Sequence, residues 1–126
     1  MPPALVRTDL LDDPDLRGRA FAEAWTDRID SWLIELFDEA GGNAGGMALV
    51  ALGGQGRREM APLSDLDLLL LFEDRDSAGR VAEQLWYPIW DTGLKLGHSV
   101  RNVRDTITLG AEDLETATSL LSARHI

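Results

Sequence analysis

Two aspartates in one short stretch have the residue type and the spacing that chemistry needs. Asp65 and Asp67 stand two positions apart at the start of an apolar run. On an extended segment their side chains point to the same face. Mg²⁺ prefers oxygen ligands and usually binds through one or two carboxylates plus substrate phosphates. Because carboxylates among apolar residues are costly without a partner, the pair predicts a divalent-cation site.

A pair of glycines supplies the second half of the predicted site. Gly53 and Gly54 follow an apolar segment, and a short polar segment separates them from Asp65. Residues without a Cβ let backbone N–H groups approach an anion, and a strand-to-helix turn aims those donors at it. A phosphate chain could bind there. Together the glycine turn and the paired aspartates predict a metal–nucleotide site.

The elements that must position these residues follow from hydrophobic periodicity. One apolar strand is predicted over residues 47–52 and a second over residues 64–72. Between them, residues 56–60 favour a short helix, and residues 61–63 lead back into the second strand. We therefore expect the glycines and the aspartates to meet where two neighbouring strands come together.

A long amphipathic helix is predicted ahead of the first strand. Asp13 and Pro14 supply an N-cap and a first helical residue, and apolar residues then recur near a 3.6 period over about 25 residues. Gly41–Gly42 suits a C-terminal cap, and residues 41–46 predict a flexible connector. The tryptophans of this helix are expected to pack in the core rather than to stack on a nucleotide base.

A helix, a strand and two further helices are predicted after the second strand. Ser77 is a candidate cap for a helix that Pro88 should kink or end early. A third strand follows over residues 94–101. Asn102 then resembles the cap of a helix, and a last helix should begin near Asp113. This order predicts an α/β or α+β domain with a small mixed sheet.

Composition narrows the class of function. The 126 residues suffice for one domain, expected over residues 13–126 behind a mobile leader of residues 1–12. The net charge of −10, without Lys/Arg clusters between aromatics, argues against nucleic-acid binding. The absence of cysteine excludes disulfides, zinc thiolates and thiol nucleophiles, and fits a cytoplasmic location. No apolar run approaches a membrane span, so no membrane association is expected.

Three blocks of the sequence resemble a known family. They read GGQGRREMAPLSDLDLLLL, WDTGLKLGHSVR and DLETATSLLSARHI, in this order. Gly-Gly followed by Asp-x-Asp resembles the signature of nucleotidyltransferases with the DNA polymerase β-like fold. The three blocks together resemble the N-terminal domain of the bacterial PII uridylyltransferase/uridylyl-removing enzyme family. The resemblance covers roughly residues 48–126, and it implies that the chain is the N-terminal part of a longer protein whose HD and ACT domains are absent here.

The resemblance implies a set of roles. UTP would be the donor, Mg²⁺ the cofactor and a tyrosine of the nitrogen-regulatory PII protein the acceptor. Asp65 and Asp67 would be catalytic metal ligands, and the backbone at Gly53 and Gly54 would bind phosphates. The side chains that could contact the nucleotide or its phosphates are Arg57, Ser64, His98 and Arg101.

One departure from the family pattern leaves alternatives open. Many superfamily members carry a third carboxylate on the strand after the helix, where this chain has Gly97 and His98. Asp91 and Asp113 are the nearest substitutes. The alternatives are transfer of AMP from ATP to PII, a related transferase with another acceptor such as an aminoglycoside-type or CBS-linked member, and a non-catalytic nucleotide-binding module. The GHSVR and TATSLLSAR blocks argue against the other acceptor, and the missing carboxylate is the best support for the module.

Overall fold

In the computed structural model, which describes residues 3–126, the apolar segments pair into one four-stranded sheet. Its strands lie in the order β3-β2-β1-β4, so the two strands nearest the predicted site are the central ones. β1 is antiparallel to both β2 and β4, whereas β2 is parallel to β3. The sheet is therefore mixed, as the sequence predicts. The strands are β1 Met47–Ala51, β2 Leu66–Phe72, β3 Leu96–Asn102 and β4 Arg124–His125.

Helices connect and cover these strands. The helix between β2 and β3 makes the long crossover that a parallel strand pair requires. A 3-10 turn at Gly42–Ala44 leads into β1. Among residues 3–126, no helix combines the length and the apolar character needed to cross a bilayer. The helices are α1 Thr8–Leu11, α2 Gly18–Glu39, α3 Gly53–Gly56, α4 Arg75–Trp90, α5 Val103–Glu112 and α6 Leu114–Leu120.

The main core lies between one face of the sheet and the pair α2 and α4. Alternate residues of β2 point into it, because successive side chains of a strand face opposite sides. Both tryptophans of α2 are buried there, which confirms their interpretation as core residues. Burying each large apolar side chain contributes about 1.5–3 kcal/mol. The buried residues include Trp25, Trp32, Leu33, Leu66, Leu68, Leu70, Leu85 and Ile89.

A smaller apolar cluster lies on the opposite face of the sheet. It joins Val50, Leu52 and Leu69, with Leu120 of α6 packed against it. Asp67 shares this face, since it stands two residues before Leu69 in β2. The aspartate is thus placed on the face that α6 covers only in part, away from the main core.

The long helix within the first forty residues starts later than the sequence predicts. α2 begins at Gly18 rather than at Pro14, because the Asp13 carboxylate accepts the Asp15 N–H and closes a separate turn. The predicted leader contains α1, and its described part is attached to α2. Arg28 donates to the Val6 carbonyl and pairs with Asp9, and the Trp32 indole donates to the carbonyl of Pro3. Met1 and Pro2 lie outside the described residues.

Two other expectations need correction, and one short strand was not expected. The helical turn after β1 lies at Gly53–Gly56, earlier than the predicted residues 56–60. α4 continues through Pro88 to Trp90, which is possible because the proline stands only two residues from the helix end and removes a single bond. The short strand β4 was not predicted, since two residues carry no periodic signal.

Candidate active site

Asp67 lies at the point where three strands meet. It is the second residue of β2 and pairs in parallel register with Gly97 of β3. The N–H of Leu52, just after β1, donates to the Asp67 carbonyl at 2.8 Å. The backbone of Asp67 is therefore held from both sides, and its side chain points to the face of the sheet opposite the main core.

The Asp67 carboxylate stands between two glycines. A Cβ placed on Gly53 would lie 3.6 Å from Oδ2, and one placed on Gly97 would lie 3.3 Å from Oδ1. Side chains at either position would fill the space next to the carboxylate that a cation or a phosphate needs. Sequence reasoning did not single out Gly97 as a site residue. A glycine inside a strand, which often marks close approach of a ligand, was the signal available.

The electrostatics at Asp67 favour a positive partner. Burial raises the pKa of the Asp67 carboxyl above its ordinary value, and the charge of neighbouring Asp65 raises it further. Asp65 itself is exposed, immediately before β2. A cation bound between the two carboxylates would relieve both effects. The pair therefore fits Mg²⁺ chemically, as two hard oxygen donors.

Such an ion would need further ligands from its substrate. Within residues 3–126, no three acidic or histidine side chains gather closely enough to enclose a metal. Mg²⁺ typically completes its shell with water and substrate phosphates when the protein gives only one or two carboxylates. The arrangement thus suits a shared metal–nucleotide site better than a closed structural metal site.

The glycine turn leads directly away from β1 beside Asp67. Gly53 adopts a left-handed conformation, with φ +57°, which a residue with a side chain rarely adopts. The turn is closed by Gly56 N–H to the Leu52 carbonyl at 3.0 Å and Arg57 N–H to the Gly53 carbonyl at 3.0 Å. The first amides of such a turn lack intrahelical acceptors. Their use as donors to a phosphate chain stays a prediction.

A groove of about 280 Å³ opens in front of Asp67, between the sheet and α6. Its size suits part of a nucleotide rather than a whole one. Arg101 of β3 lines it and faces Asp113, whose pKa is lowered mainly by a hydrogen bond from Thr116 and also by the Arg101 charge. The other polar residues that line the groove are His98, Ser99, Glu115, Thr116 and Ser119. A larger cavity, between α2 and α4, lies elsewhere and does not include either aspartate of the pair.

Arg57 and Ser64, two residues predicted to contact phosphate, already bond to other residues of the chain. The Arg57 Nε lies 3.1 Å from the Glu59 carboxylate, and its guanidinium donates to the Ser122 hydroxyl at 3.2 Å. The Ser64 hydroxyl accepts the Ala61 N–H at 2.8 Å and closes the turn before β2. Each would have to release or share these bonds to meet a phosphate, so both roles stay predictions.

His98 and the two substitutes for a third carboxylate lie in different parts of the structure. His98 lines the groove, but its ring packs 5.2 Å from Trp86 and 5.6 Å from Trp90 of α4. Its nucleotide role stays a prediction. Of the two substitutes for a third carboxylate, Asp113 lies in the groove and caps α6, whereas Asp91 lines the separate cavity between α2 and α4.

Replacing Asp67 by asparagine should change the pH dependence of stability when EDTA keeps the protein free of metal. Because the native pKa of Asp67 exceeds its ordinary 3.8, ionisation destabilises the fold as pH rises through that native pKa. The asparagine side chain does not ionise. The free energy of unfolding of Asp67→Asn minus that of the unchanged protein should therefore increase as the pH rises from about 3 to about 7. Urea unfolding at each pH measures both free energies.

Asp113→Asn is the matched control for that measurement, with the opposite sign expected. The lowered pKa of Asp113 means that its ionised form stabilises the fold, and this stability is lost as pH falls through the native pKa. Its variant should become relatively less stable towards neutral pH. Equal pH profiles for the two variants would contradict the assignment of Asp67 to a desolvated position.

Comparison with known proteins gives one family. Residues 17–93 match the family model described as "Putative nucleotidyltransferase DUF294". This range contains β1, the glycine turn, both aspartates of the pair and α4. The match therefore covers more than half of the chain and includes the centre of the site.

Curated bacterial proteins are also similar. A bifunctional uridylyltransferase/uridylyl-removing enzyme of Mycobacterium tuberculosis is 44% identical over 128 residues, which cover 98% of this chain and 16% of that protein. The protein of the same name from Streptomyces coelicolor is 42% identical over 98% of this chain and 15% of its own length. One from Hydrogenovibrio crunogenus is 48% identical over 64% of this chain and 9% of its own length. The chain thus spans less than a fifth of the length of these relatives.

Proposed function

The chain belongs to the nucleotidyltransferase family DUF294, and from this premise we propose that it transfers UMP from UTP to a tyrosine of the PII protein, releasing pyrophosphate. The observation that carries the proposal is the Asp67 carboxylate, half-buried between Gly53 and Gly97 with Asp65 beside it. The names of the relatives support uridylyl transfer. The resemblance of the three sequence blocks supports PII as the acceptor.

The proposed reaction replaces the α–β phosphoanhydride bond of UTP by a phosphodiester bond to tyrosine. The tyrosine oxygen forms a bond to the α-phosphorus of UTP, and the bond from that phosphorus to the bridging oxygen of the β-phosphate breaks. Pyrophosphate leaves with the electron pair, and the hydroxyl proton passes to solvent. Such transfer depends on positioning and on charge neutralisation more than on covalent catalysis by the protein.

Asp65 and Asp67 would hold Mg²⁺, which when bound neutralises charge on the phosphates and orients them. The chain's own residues supply the geometry. The fixed backbone of Asp67 sets the position of one carboxylate, and the open space at Gly53 and Gly97 lets a phosphate oxygen come close to it. Arg101 could meet phosphate charge in the groove. We retain the backbone of Gly54 and the side chains of Arg57, Ser64 and His98 as proposed nucleotide contacts.

Transfer of label tests the proposal directly. UTP and, in parallel, ATP labelled at the α-phosphate are incubated with Mg²⁺, purified PII and the protein, and label on PII is measured. We expect label from UTP, and none on a PII variant whose acceptor tyrosine is phenylalanine. Label from ATP alone would make the protein an adenylyltransferase. No label from either donor, with Mg–UTP still bound, would favour the non-catalytic nucleotide-binding module.

A further inference from the structure

Three polar side chains from distant parts of the chain meet at the glycine turn. Gln55 of α3 is fully buried and donates from Nε2 to Oδ1 of Asp30 on α2, at 3.0 Å. The other carboxylate oxygen of Asp30 pairs with Nη1 of Arg124 on β4, at 2.8 Å. Asp30 is buried as well. The three residues thus join α2, the turn and the last strand in one network.

Arg124 also binds the backbone of the turn. Its Nη2 donates to the Gln55 carbonyl at 2.9 Å, and its Nε donates to the Gly56 carbonyl at 3.3 Å. All three guanidinium nitrogens are therefore used, one on Asp30 and two on the turn. Because the guanidinium is planar and rigid, it fixes these acceptors relative to one another. A lysine ammonium could not span them in the same way.

The network is unfavourable in free energy if its only role is to stabilise the fold. Removing a charged pair from water costs free energy that its attraction only partly returns, and apolar residues of similar volume are often as stabilising. Gln55 adds a further cost, because its buried Oε1 has no hydrogen-bond partner among residues 3–126. Such costs at a turn beside the proposed catalytic carboxylate suggest a role in holding its geometry.

We propose that Arg124, with Asp30 and Gln55, is a positioning residue that holds the Gly53–Gly56 turn in the conformation that receives the substrate phosphates. The proposal deepens the proposed function and rests on it for the identity of the ligand. The bonds of Arg124 to two turn carbonyls and to Asp30 carry the argument. Gly53, in the same turn, stands next to Asp67, so displacement of the turn would disturb phosphate and metal together.

Amide hydrogen exchange in Arg124→Gln tests the positioning directly. The amides of Gly56, Arg57 and Glu59 close the turn by bonds to backbone carbonyls. We expect them to exchange about tenfold faster in the variant, because charge-assisted bonds to the turn are lost. Val81→Ala is the control, since Val81 is buried in the main core on α4 and its truncation lowers stability without touching the turn. Comparison at conditions of equal global stability removes the general effect of destabilisation.

Arg124→Lys provides a second test of the proposal in case Arg124→Gln does not fold. Lysine retains the positive charge facing Asp30 but cannot reach both turn carbonyls, so fast exchange of the turn amides should persist in it. Turn amides that exchange in both Arg124 variants as slowly as in Val81→Ala would overturn the proposal. So would a lysine variant that fully restores protection.

Affinity for Mg–UTP, measured by calorimetry, separates this proposal from the proposed function. We expect binding to the unchanged protein, a weakening of about tenfold in Arg124→Lys, and no weakening in Val81→Ala. Binding that is equal in all three would overturn the positioning role while leaving the transferase proposal intact. No Mg–UTP binding by the unchanged protein would overturn the proposed function and, with it, the assignment of the turn to substrate phosphates.

Discussion

Asparagine at position 67 is expected to lower the turnover of nucleotidyl transfer by about 10³-fold. A metal ion at transferring phosphates contributes several kcal/mol to transition-state stabilisation, and about 1.4 kcal/mol corresponds to a factor of ten. The substituted amide would keep the shape of the side chain between Gly53 and Gly97 but would lose the charge that holds the cation. The fold should survive, because burial already disfavours the ionised form of Asp67.

Two further variants show whether the loss is specific. Asp65→Asn should also reduce turnover, but less, since Asp65 is exposed and any charge there is screened by water. Asp113→Asn lies in the same groove and should leave turnover nearly unchanged, because Asp113 caps α6 through Thr116. Initial rates of label transfer at saturating UTP, with Mg²⁺ varied, measure all three. A larger loss of turnover in Asp113→Asn than in Asp67→Asn would contradict a metal site at Asp65 and Asp67.

The parts of the fold that depend on neighbouring residues were predictable from sequence. β1, β2 and β3 follow from apolar runs, and their structural bounds agree with the predicted ones to within two residues at each end. The caps at Asn102 and Asp113 follow from side chains that accept an N–H three residues later. In each case the information lies within a few residues of the feature.

The features that sequence missed depend on contacts between distant segments. β4 exists only because Arg124 and His125 pair with the end of β1. The start of α2 differs because a local turn at Asp13 competes with the helix. The network of Asp30, Gln55 and Arg124 spans more than ninety positions, and none of its members belongs to a spacing that indicates a partner.

The candidate site shows the same division. Asp65, Asp67 and the glycine turn could be predicted because one loop connects them along the chain. A glycine within a strand could signal close approach of a ligand at Gly97, but not its position beside Asp67, because that depends on the register of β3 against β2. The same register directs the His98 ring towards Trp86 and Trp90 of α4. Register is fixed by the packing of whole strands rather than by local pattern.

Gly56 is the position where a single methyl group should disturb the most structure. A Cβ added there would overlap the carbonyl oxygen of Ser122 and lie 2.9 Å from the carbonyl oxygen of Ala51. Both neighbours are backbone atoms, so neither can rotate away. Relief would require the segment that carries Arg124 to move off the turn, with loss of its bonds to Gln55 and Gly56.

Alanine at position 56 is therefore expected to lower the unfolding free energy by about 3 kcal/mol or more, out of the roughly 5–15 kcal/mol typical of a domain. Gly79→Ala is the matched control, because Gly79 is exposed within α4 and a Cβ there meets nothing within 4 Å. That variant should gain about 0.5–1 kcal/mol from better helix propensity. Urea unfolding of both variants gives the two free energies. Equal effects would show that the C-terminal segment is not packed on the turn, whereas opposite signs would establish that close backbone contact holds the turn in place.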